Sequence, residues 1–537
     1  MLYVQIIFLA LSILLTFLFF IYGFNHYFLL SVIHRYQPPQ LLPPTPGKRP
    51  YVSIQLPIYN ERYVVRRLVE ACALMVEQYG IDNAEINILD DSTDDTIQRV
   101  DEVVSEYRHK HYHINVQRRL DRSGYKSGAL QIALLNTEAE FIAIFDADYV
   151  PRSDFLLRTI PYLLQDEKLA IVQSRWTHLN RNFNRVTSAV AIGIDVHFMV
   201  EQTGRYASKC FQNFNGSGGV LRRKALVEAG GWQADTLAED LDASYRIQMK
   251  GYHVLFLKDL TSPGEVPPTV PSFKKQQARW ANGSLRTARK LLPSILHNRS
   301  IKLYQKLEAF IHLTGYMLHP MMFVSFLLAS FGTIFEVDTF LVHSHMLTPL
   351  GGAFAAFDLK TAIELHNLTW GALDAMILLS MVAAWLSPII SLKLQRFPIR
   401  KNLLGLLVLF LLGSGISVSN TVEAVKALFT NRQWEFKRTP KYAHVKDKEG
   451  WRDRSYQVPL DFVFVLELAS VFLGVFATSM ALMHHHYAVL AILIPYTTSY
   501  LFIALLTFQQ SRSQVPVQNV ESSSISPIQP NQADISK

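Results

Sequence analysis

Long apolar stretches on both sides of a more polar block constrain this chain more than any other feature. Residues 5–30 are almost entirely apolar, and apolar segments return after residue 305. Because about 20 apolar residues cross a bilayer as a helix, each stretch is long enough to span one. The later segments are 309–335, 370–392, 402–425, 459–483 and 487–507. With 49% hydrophobic residues, the chain is predicted to be a multi-pass membrane protein.

The first apolar stretch could be a cleaved signal peptide or a permanent anchor. No basic residue precedes it, the run is longer than a signal peptide needs, and no small-residue cleavage site follows. We therefore predict a transmembrane anchor at residues 1–36. His34 and Arg35 follow the run, and basic residues are enriched on the cytosolic side of spans. The chain is therefore expected to enter the cytosol there, through a proline-rich linker at residues 37–50.

Residues 51–300 have the pattern of a soluble α/β domain. Short apolar strands such as VSIQLPIY, EINILDD and FIAIFDAD alternate with helical stretches. Such alternation gives a mostly parallel sheet with helices on both faces. Ligands of these sheets bind beyond the carboxyl ends of the strands, so the polar residues that follow the strands are the first candidates for a site.

Residues 301–508 are predicted to form transmembrane and interfacial helices, and residues 509–537, rich in Ser, Gln and Pro, a disordered tail. The basic loops 393–401 and 426–458 should both be cytosolic. One full span at 402–425 cannot join two cytosolic loops. Because the second half of that segment is more polar, we predict that it re-enters the membrane or lies in its interface.

The net charge of +8 has two explanations, membrane topology or a polyanionic partner. Lys and Arg crowd next to apolar runs, as cytosolic loops require, and no nucleic-acid-binding module is recognisable. We therefore predict a lipid bilayer as a partner and no nucleic acid. The sequence also lacks a GxxxxGK[ST] loop and a GxGxxG after a strand, which argues against an NTPase or a dehydrogenase.

Two pairs of carboxylates directly follow predicted strands. Asp90 and Asp91 could bind a nucleobase, a ribose or a metal, or could cap the helix that follows. Asp146 and Asp148 follow the strand FIAIF, and a divalent cation would relieve their mutual repulsion. Mg²⁺ or Mn²⁺ prefers oxygen ligands and commonly bridges to substrate phosphates. The second pair therefore predicts a metal site for Mg²⁺ or Mn²⁺.

The motif LAEDLD, residues 237–242, contains a candidate general base. Glu239 and Asp240 begin a helical stretch, where carboxylates also complement the helix dipole. An alcohol is a poor nucleophile, so a base that removes its proton during attack accelerates transfer. On that interpretation Asp240 is the catalytic residue.

The motif QQARW adds a candidate anion site. Arg279 could hold a diphosphate with its planar fork of donors, and Trp280 could stack on a sugar ring. A solvated arginine and an interfacial tryptophan are the alternatives. The other candidates are Gln276 in the same motif, Tyr59 and Glu61 after the first strand, Lys126 in RSGYKSGAL, and Asn215 and Gly216 in NGSGG.

Taken in order, DDSTDD, DAD, ED and QQARW resemble the D, DxD, [TE]D, QxxRW series of processive family 2 glycosyltransferases. That group includes cellulose, hyaluronan and chitin synthases. The residues around these motifs resemble those of plant cellulose-synthase-like mannan and glucan synthases of the A and C groups. The similar segments are QLPIYNER, LDDSTDDT, RSGYKSGAL, FNGSGGVLRRKAL and AEDLDASYR. The resemblance covers residues 50–300 in detail and the membrane region more loosely.

The resemblance implies a GT-A fold, a Rossmann-like mixed sheet, and inversion at the anomeric carbon. It implies that Asp91, Asp146 and Asp148 bind nucleotide and metal, and that Asp240 is the base. By the same resemblance, Gln276, Arg279 and Trp280 hold the diphosphate and the acceptor end. A weaker likeness links Phe436, Thr439 and Lys441 to the gating loop of cellulose synthases.

These expectations predict a hexosyltransferase in the plasma or inner membrane, with its catalytic domain in the cytosol. It would transfer a hexose from UDP-glucose or GDP-mannose to a growing β-linked polysaccharide, processively and coupled to export. Tyr59, Glu61, Asp90, Asp91, Lys126, Asp146, Gln276 and Arg279 would bind the nucleotide-sugar, and Trp280, Asn215, Gly216 and Glu239 the acceptor. A non-processive transferase with a lipid acceptor is the alternative. A transporter is disfavoured, because the later spans carry few charges that could couple transport.

Overall fold

The computed structural model describes residues 2–40, 49–337, 359–430 and 460–512. Part of the linker predicted at residues 37–50 lies outside these ranges. So do Phe436, Thr439 and Lys441 of the gating-loop likeness and the predicted tail beyond residue 512.

The chain begins with a long helix, α1 (Leu2–Val32), which a short 3₁₀ turn (Ile33–Arg35) ends. Tyr36 then ties this end to the sheet domain. Its hydroxyl donates to the carbonyl of Phe256 at 3.3 Å and accepts from the backbone N–H of Lys258 at 3.2 Å. The C-terminal end of the first helix is therefore fixed relative to the sheet domain.

A seven-stranded mixed sheet forms the centre of the domain, in the order β3-β2-β1-β4-β6-β5-β7. Strands β1 to β4 are mutually parallel where they pair, whereas β6 runs antiparallel to both β4 and β5. The strands are β1 (Val52–Ile58), β2 (Ala84–Asp90), β3 (Ile114–Gln117), β4 (Phe141–Ile144), β5 (Leu169–His178), β6 (Gly219–Arg222) and β7 (His253–Gly264).

Helices cover both faces of the sheet, and each face has its own apolar core. One core includes Ile54, Leu68 and Phe155, and the other includes Leu130 and Ile142. Burial on both faces explains why the central strands read as continuous apolar runs. The helices are α2 (Val65–Tyr79), α3 (Thr96–His109), α4 (Tyr125–Asn136), α5 (Phe155–Gln165), α6 (Arg185–Val196), α7 (Thr203–Ala207), α8 (Arg223–Glu228), α9 (Glu239–Met249) and α10 (Val270–His297).

The strand register brings three polar turns to one edge of the sheet. In β1, Ile58 pairs with Asp90 of β2, and Gln55 pairs with Ile144 of β4. Because these strands are parallel, the residues that follow them meet at the same carboxyl edge. The turns after β1, β2 and β4 therefore converge, as the sequence predicts for the candidate site.

The remaining helices follow the sheet domain. They are α11 (Leu303–Thr314), α12 (Leu318–Ile334), α13 (Leu359–Leu394), α14 (Ile399–Gly415), α15 (Ser417–Phe429), α16 (Phe462–Met483) and α17 (Tyr487–Arg512). Within the described ranges, five helical stretches are long and apolar enough to cross a membrane. These are Tyr3–Arg35, Leu303–Ile334, Ala375–Leu394, Phe462–Met483 and Tyr487–Ser511.

The segment predicted at 402–425 is divided between two helices. Helices α14 and α15 meet at a bend of 43° next to Ile416. The bend falls where the sequence becomes more polar, and α15 then packs beside α10 of the sheet domain. The pair has the form of a broken span or a re-entrant segment.

Candidate active site

A cavity of about 690 Å³ opens at the carboxyl edge of the sheet. Its wall is formed by the turns after β1, β2 and β4, the start of α9 and one face of α10. The sequence-predicted residues that line it are Tyr59, Glu61, Asp91, Lys126, Asp146, Asp148, Asn215, Gly216, Glu239, Asp240, Gln276, Arg279 and Trp280. Stretches of chain separated by more than a hundred residues therefore meet in one cleft.

Asp90, which is predicted to bind the nucleotide-sugar, is not among the residues that line this cavity. Its side chain is buried in the sheet domain, 3% of the residue being exposed. One oxygen accepts from Arg118 Nε at 2.9 Å, and the other accepts from the backbone N–H of Ser92 at 3.0 Å. Successive residues of an extended chain point in opposite directions, so Asp90 turns away where Asp91 faces the cleft.

Asp91 is held by a bidentate contact with Arg119. Arg119 Nε donates to one carboxylate oxygen at 2.9 Å, and Nη2 contacts the other. Arg119 also donates to the carbonyls of Ser123 and Tyr125, so it fixes the loop before α4 as well. Such a planar pair sets the orientation of the Asp91 carboxylate.

Arg122 lies over the ring of Tyr59 at 3.3 Å from the ring centre, and both line the cavity. The two side chains make a flat, cationic surface beside Asp91 that suits a nucleobase. Sequence reasoning missed Arg119 and Arg122. The available signal was RRLDR directly after β3, because β3 ends at the same edge of the sheet as β2.

Lys126 connects three parts of the site. Its Nζ lies 2.6 Å from Asp146 Oδ1, 2.9 Å from the carbonyl oxygen of Gly216 and 3.6 Å from Glu239 Oε1. Although burial alone would lower it, the pKa of Lys126 is raised by the carboxylates of Asp146 and Glu239. The lysine is therefore a fixed positive charge at neutral pH.

Asp146 and Asp148 face the cavity from the turn after β4. The backbone N–H of Asp146 donates to Ser217 Oγ at 3.0 Å, and Asp148 Oδ2 accepts from the backbone N–H of Glu265 at 3.3 Å. Within the described part of the chain, no group of three His, Cys, Asp or Glu side chains is arranged to hold a metal alone. Two carboxylates completed by substrate phosphates are the usual donor set for Mg²⁺ or Mn²⁺, and these residues fit it.

Asp240 lies in the first turn of α9 at the inner end of the cavity. Its Oδ1 accepts from the backbone N–H of Leu241 at 2.8 Å. A Cβ atom at Gly216 would lie 2.7 Å from Asp240 Oδ2, so a side chain there would displace the carboxylate. Burial, assisted by the charge of Glu239, raises the pKa of Asp240 to about 7, against the opposing effect of Lys126. A carboxylate with that pKa suits a general base at neutral pH.

One face of α10 closes the cavity. Residues 276, 279 and 280 share this face because they are three and four positions apart on a helix. Arg286, Arg289 and Lys290 continue it and also line the cavity. Sequence reasoning missed these three cations, although they lie about three to four turns beyond Gln276 on the same helix. The cleft therefore combines acidic residues from the sheet with a row of basic residues from α10.

Comparison with known families identifies the domain. Residues 53–227 match the model of glycosyl transferase family 2, and residues 141–389 match that of glycosyl transferase family group 2. The chain carries a family 2 glycosyltransferase domain. Its mixed sheet has the predicted GT-A fold, so the fold class expected from the sequence is confirmed.

Plant relatives agree with the predicted cellulose-synthase-like resemblance, which is likewise confirmed. Probable glucomannan 4-beta-mannosyltransferase 2 of Oryza sativa subsp. japonica is 38% identical over 262 residues, which are 48% of this chain and 45% of the relative. Glucomannan 4-beta-mannosyltransferase 9 of Arabidopsis thaliana is 39% identical over 264 residues, 48% of this chain and 49% of the relative. The chain thus spans about half the length of the curated relatives it matches.

Among solved structures, the chain is similar to the mannosyltransferase PcManGT from Pyrobaculum calidifontis in complex with GDP-Man and Mn²⁺. The TM-score is 0.46 at 21% identity, and the match covers 70% of this chain and 97% of that one.

A second cavity, of about 660 Å³, lies between the glycosyltransferase domain and the apolar helices. Side chains from α1, α12, α13 and α14 line it, including Trp385, whose ring stacks on Phe410 at 5.4 Å between ring centres. The two cavities share Trp176, Ile194, Asn215, Ala238, Asp240 and Trp280. Asp240 therefore lies where the cleft of the sheet domain meets a cavity on the membrane side.

Proposed function

We propose that this protein is a membrane hexosyltransferase that extends a β-linked polysaccharide from a nucleotide-sugar, either UDP-glucose or GDP-mannose. One observation carries the proposal: the partly buried carboxylate of Asp240 lies at the junction of the donor-sized cleft and the membrane-side cavity. The plant relatives are named glucomannan 4-beta-mannosyltransferases, and these names support a hexose donor and a β-glycan product.

The nucleotide would occupy the outer part of the cleft. Tyr59 with Arg122 and the Arg119-bound carboxylate of Asp91 offer a flat surface and a fixed acceptor for the base and ribose. Asp146 and Asp148 would hold a divalent cation, which when bound neutralises charge on the leaving diphosphate. Arg279 and Lys126 supply cationic donors to the same group.

Transfer would proceed by a single displacement. An acceptor hydroxyl attacks the anomeric carbon of the donor sugar while Asp240 removes the proton of that hydroxyl. The bond from the anomeric carbon to the diphosphate breaks at the same time, and the diphosphate leaves with the electron pair. A single in-line displacement inverts the anomeric carbon, so an α-linked donor gives a β-linked product.

The membrane-side cavity supports a processive reaction coupled to export. A product chain that leaves Asp240 along this cavity would pass between α1, α12, α13 and α14, against aromatic surfaces such as Trp385. Sugar rings present apolar faces that stack on aromatic side chains. The catalytic domain would then stand in the cytosol of a plasma or inner membrane, as the basic loops beside the spans predict.

Replacing Asp240 with Asn tests the assignment of the base. The change is nearly isosteric but removes proton acceptance, so transfer should fall by at least about 100-fold. Calorimetry with Mn²⁺ and each donor should show a dissociation constant close to that of the unaltered protein. Asp82→Asn, at an exposed carboxylate outside the cleft, is the matched control and should leave both quantities unchanged. Undiminished transfer by Asp240→Asn would exclude the assignment.

A further inference from the structure

A row of polar side chains runs from α11, beside the membrane, to the junction of the two cavities. Arg205 Nε lies 2.7 Å from Glu308 Oε1, and Arg205 Nη2 lies 3.0 Å from Glu201 Oε2. The same oxygen of Glu201 lies 3.2 Å from His197 Nδ1, and His197 Nε2 lies 2.9 Å from Asn215 Oδ1. The row therefore ends on Asn215, next to Gly216 and Asp240.

The two halves of this row differ in burial. Arg205 and Glu308 are almost wholly buried, with side chains 3% and 1% exposed, and they join α7 to α11. Glu201 and His197 are about a quarter exposed, and both line the membrane-side cavity. Joining the helices needs only Arg205 and Glu308. The side chains of Glu201 and His197, which together we call the arm, extend beyond the Arg205–Glu308 pair. They reach the junction of the two cavities, where Asp240 lies.

The backbone places this arm in an unusual way. His197 and Glu201 belong to a π-helical stretch, His197–Gln202, between α6 and α7. A π-helical turn is rare and is frequently found at functional sites. Here it sets His197 and Glu201 side by side on the wall of the cavity, with the imidazole between the carboxylate and Asn215.

The hydrogen-bonding roles along the arm follow from the charge of Glu201. Burial would raise the pKa of Glu201, but the hydrogen bond from His197 and the charge of Arg205 bring that pKa well below its ordinary value. An ionised carboxylate only accepts, so His197 Nδ1 carries a hydrogen and donates to it. This bond fixes the plane of the imidazole. Because Asn215 Oδ1 also only accepts, His197 Nε2 must carry a hydrogen as well and donate to that oxygen at 2.9 Å.

Asn215 is held on two other sides as well. Its backbone N–H donates to Gln173 Oε1 at 3.0 Å, and its Oδ1 accepts from Asn213 Nδ2 at 2.8 Å. With His197 on the third side, the amide has one orientation at the point where the two cavities meet. An acceptor sugar that reaches Asp240 from the membrane side must pass this amide.

We propose that His197 and Glu201 are positioning residues that orient the Asn215 amide to hold the terminal sugar of the acceptor glycan beside Asp240. The inference rests on the proposed function. When the acceptor is held in place, its hydroxyl and not water meets the anomeric carbon. Loss of the arm would therefore release the acceptor while leaving the donor site intact.

The test compares donor hydrolysis with glycosyl transfer in the purified protein with Mn²⁺ and either GDP-mannose or UDP-glucose. His197→Leu and the isosteric Glu201→Gln should raise the ratio of hydrolysis to transfer by about tenfold, because small misplacements of a reacting group strongly slow its reaction. The product should become shorter, and the KM for the donor should stay unchanged. A general loss of structure would instead lower hydrolysis and transfer together, which would overturn the inference.

A double variant sharpens the test. If His197 acts only through Asn215, His197→Leu combined with Asn215→Ala should be no worse than Asn215→Ala alone. Additive losses would overturn the positioning role. Failure of the proposed function is distinguishable, because the unaltered protein would then transfer sugar from neither donor. If the unaltered protein transfers sugar and both single variants keep its ratio, only the present inference fails.

Discussion

Asp240 has the surroundings of a base because of three neighbours from three parts of the chain. Glu239 adds a negative charge beside it, Lys126 adds a positive charge, and Gly216 leaves the space that its carboxylate occupies. Burial disfavours the charged carboxylate, and this cost dominates the balance. The result is a carboxyl group that gains and loses its proton near neutral pH.

The pH dependence of transfer should follow from this balance. A general base works when it is deprotonated, and burial with the charge of Glu239 raises the pKa of Asp240 to about 7. The transfer rate should therefore rise with pH up to about 7 and level off above it. Glu239→Gln removes one charge that raises this pKa, so the rising limb should move to lower pH. Rates measured from pH 5 to 9 test this, and a limb that stays in place in Glu239→Gln would contradict it.

Most of the site residues predicted from the sequence line the cavity, because strand ends and motif spacing indicate which residues share an edge. Asp91, Asp146 and Asp148 follow predicted strands, and Arg279 and Trp280 belong to the motif QQARW. The sequence pattern could not show that Asp91 faces the cavity and Asp90 does not, because the side-chain directions of two adjacent acidic residues depend on where the strand ends. Nor could it pair Asp91 with Arg119, because that contact depends on the alignment of β2 with β3.

At the scale of elements, α10 lines the cavity of the sheet domain and also contacts the apolar helices α16 and α17. Lys274 Nζ lies 2.6 Å from Glu467 Oε1 of α16, and the two side chains are 10% and 0% exposed. The N–H of Val270 at the start of α10 also donates to Gln510 of α17 at 2.8 Å. The face of α10 that carries Gln276, Arg279 and the basic residues after them is therefore fixed in position relative to the apolar helices.

Breaking this ion pair should destabilise the protein. Lys274→Met leaves the buried carboxyl group of Glu467 without its ion-pair partner, which costs about 3–5 kcal/mol. The thermal midpoint of the detergent-solubilised protein should fall. Lys274→Met with Glu467→Met should recover most of the loss, because the double variant leaves no buried charge. An unchanged midpoint in Lys274→Met would contradict a structural role for the pair.

Some elements could be predicted from the sequence, whereas the contacts between distant elements could not. Hydropathy indicates the positions of the apolar helices. The polar second half of 402–425 predicts that this segment is not one straight span, and the 43° bend next to Ile416 agrees with that prediction. The Lys274–Glu467 pair joins positions 193 residues apart, and no local pattern specifies which partner a buried lysine takes. The antiparallel direction of β6 is likewise set by packing between distant strands.

At the scale of the whole molecule, a cavity in the sheet domain adjoins a cavity among the apolar helices, and both are lined by Asp240 and Trp280. The sheet domain supplies a cleft with acidic residues from the strand ends and basic residues from α10. The apolar helices supply a second cavity that begins where the first ends. This continuity is the reason to expect a polymer, because a chain extended at Asp240 has a route away from the donor that does not cross the donor site.

The most direct test of this account is the product formed by the purified protein from labelled GDP-mannose and UDP-glucose, supplied separately, with Mn²⁺ or with a chelator. One donor should give an insoluble polymer that a β-specific endoglycanase digests, and the chelator should abolish its formation. Addition of a single sugar, an α-linked product, or no incorporation from either donor would contradict the account.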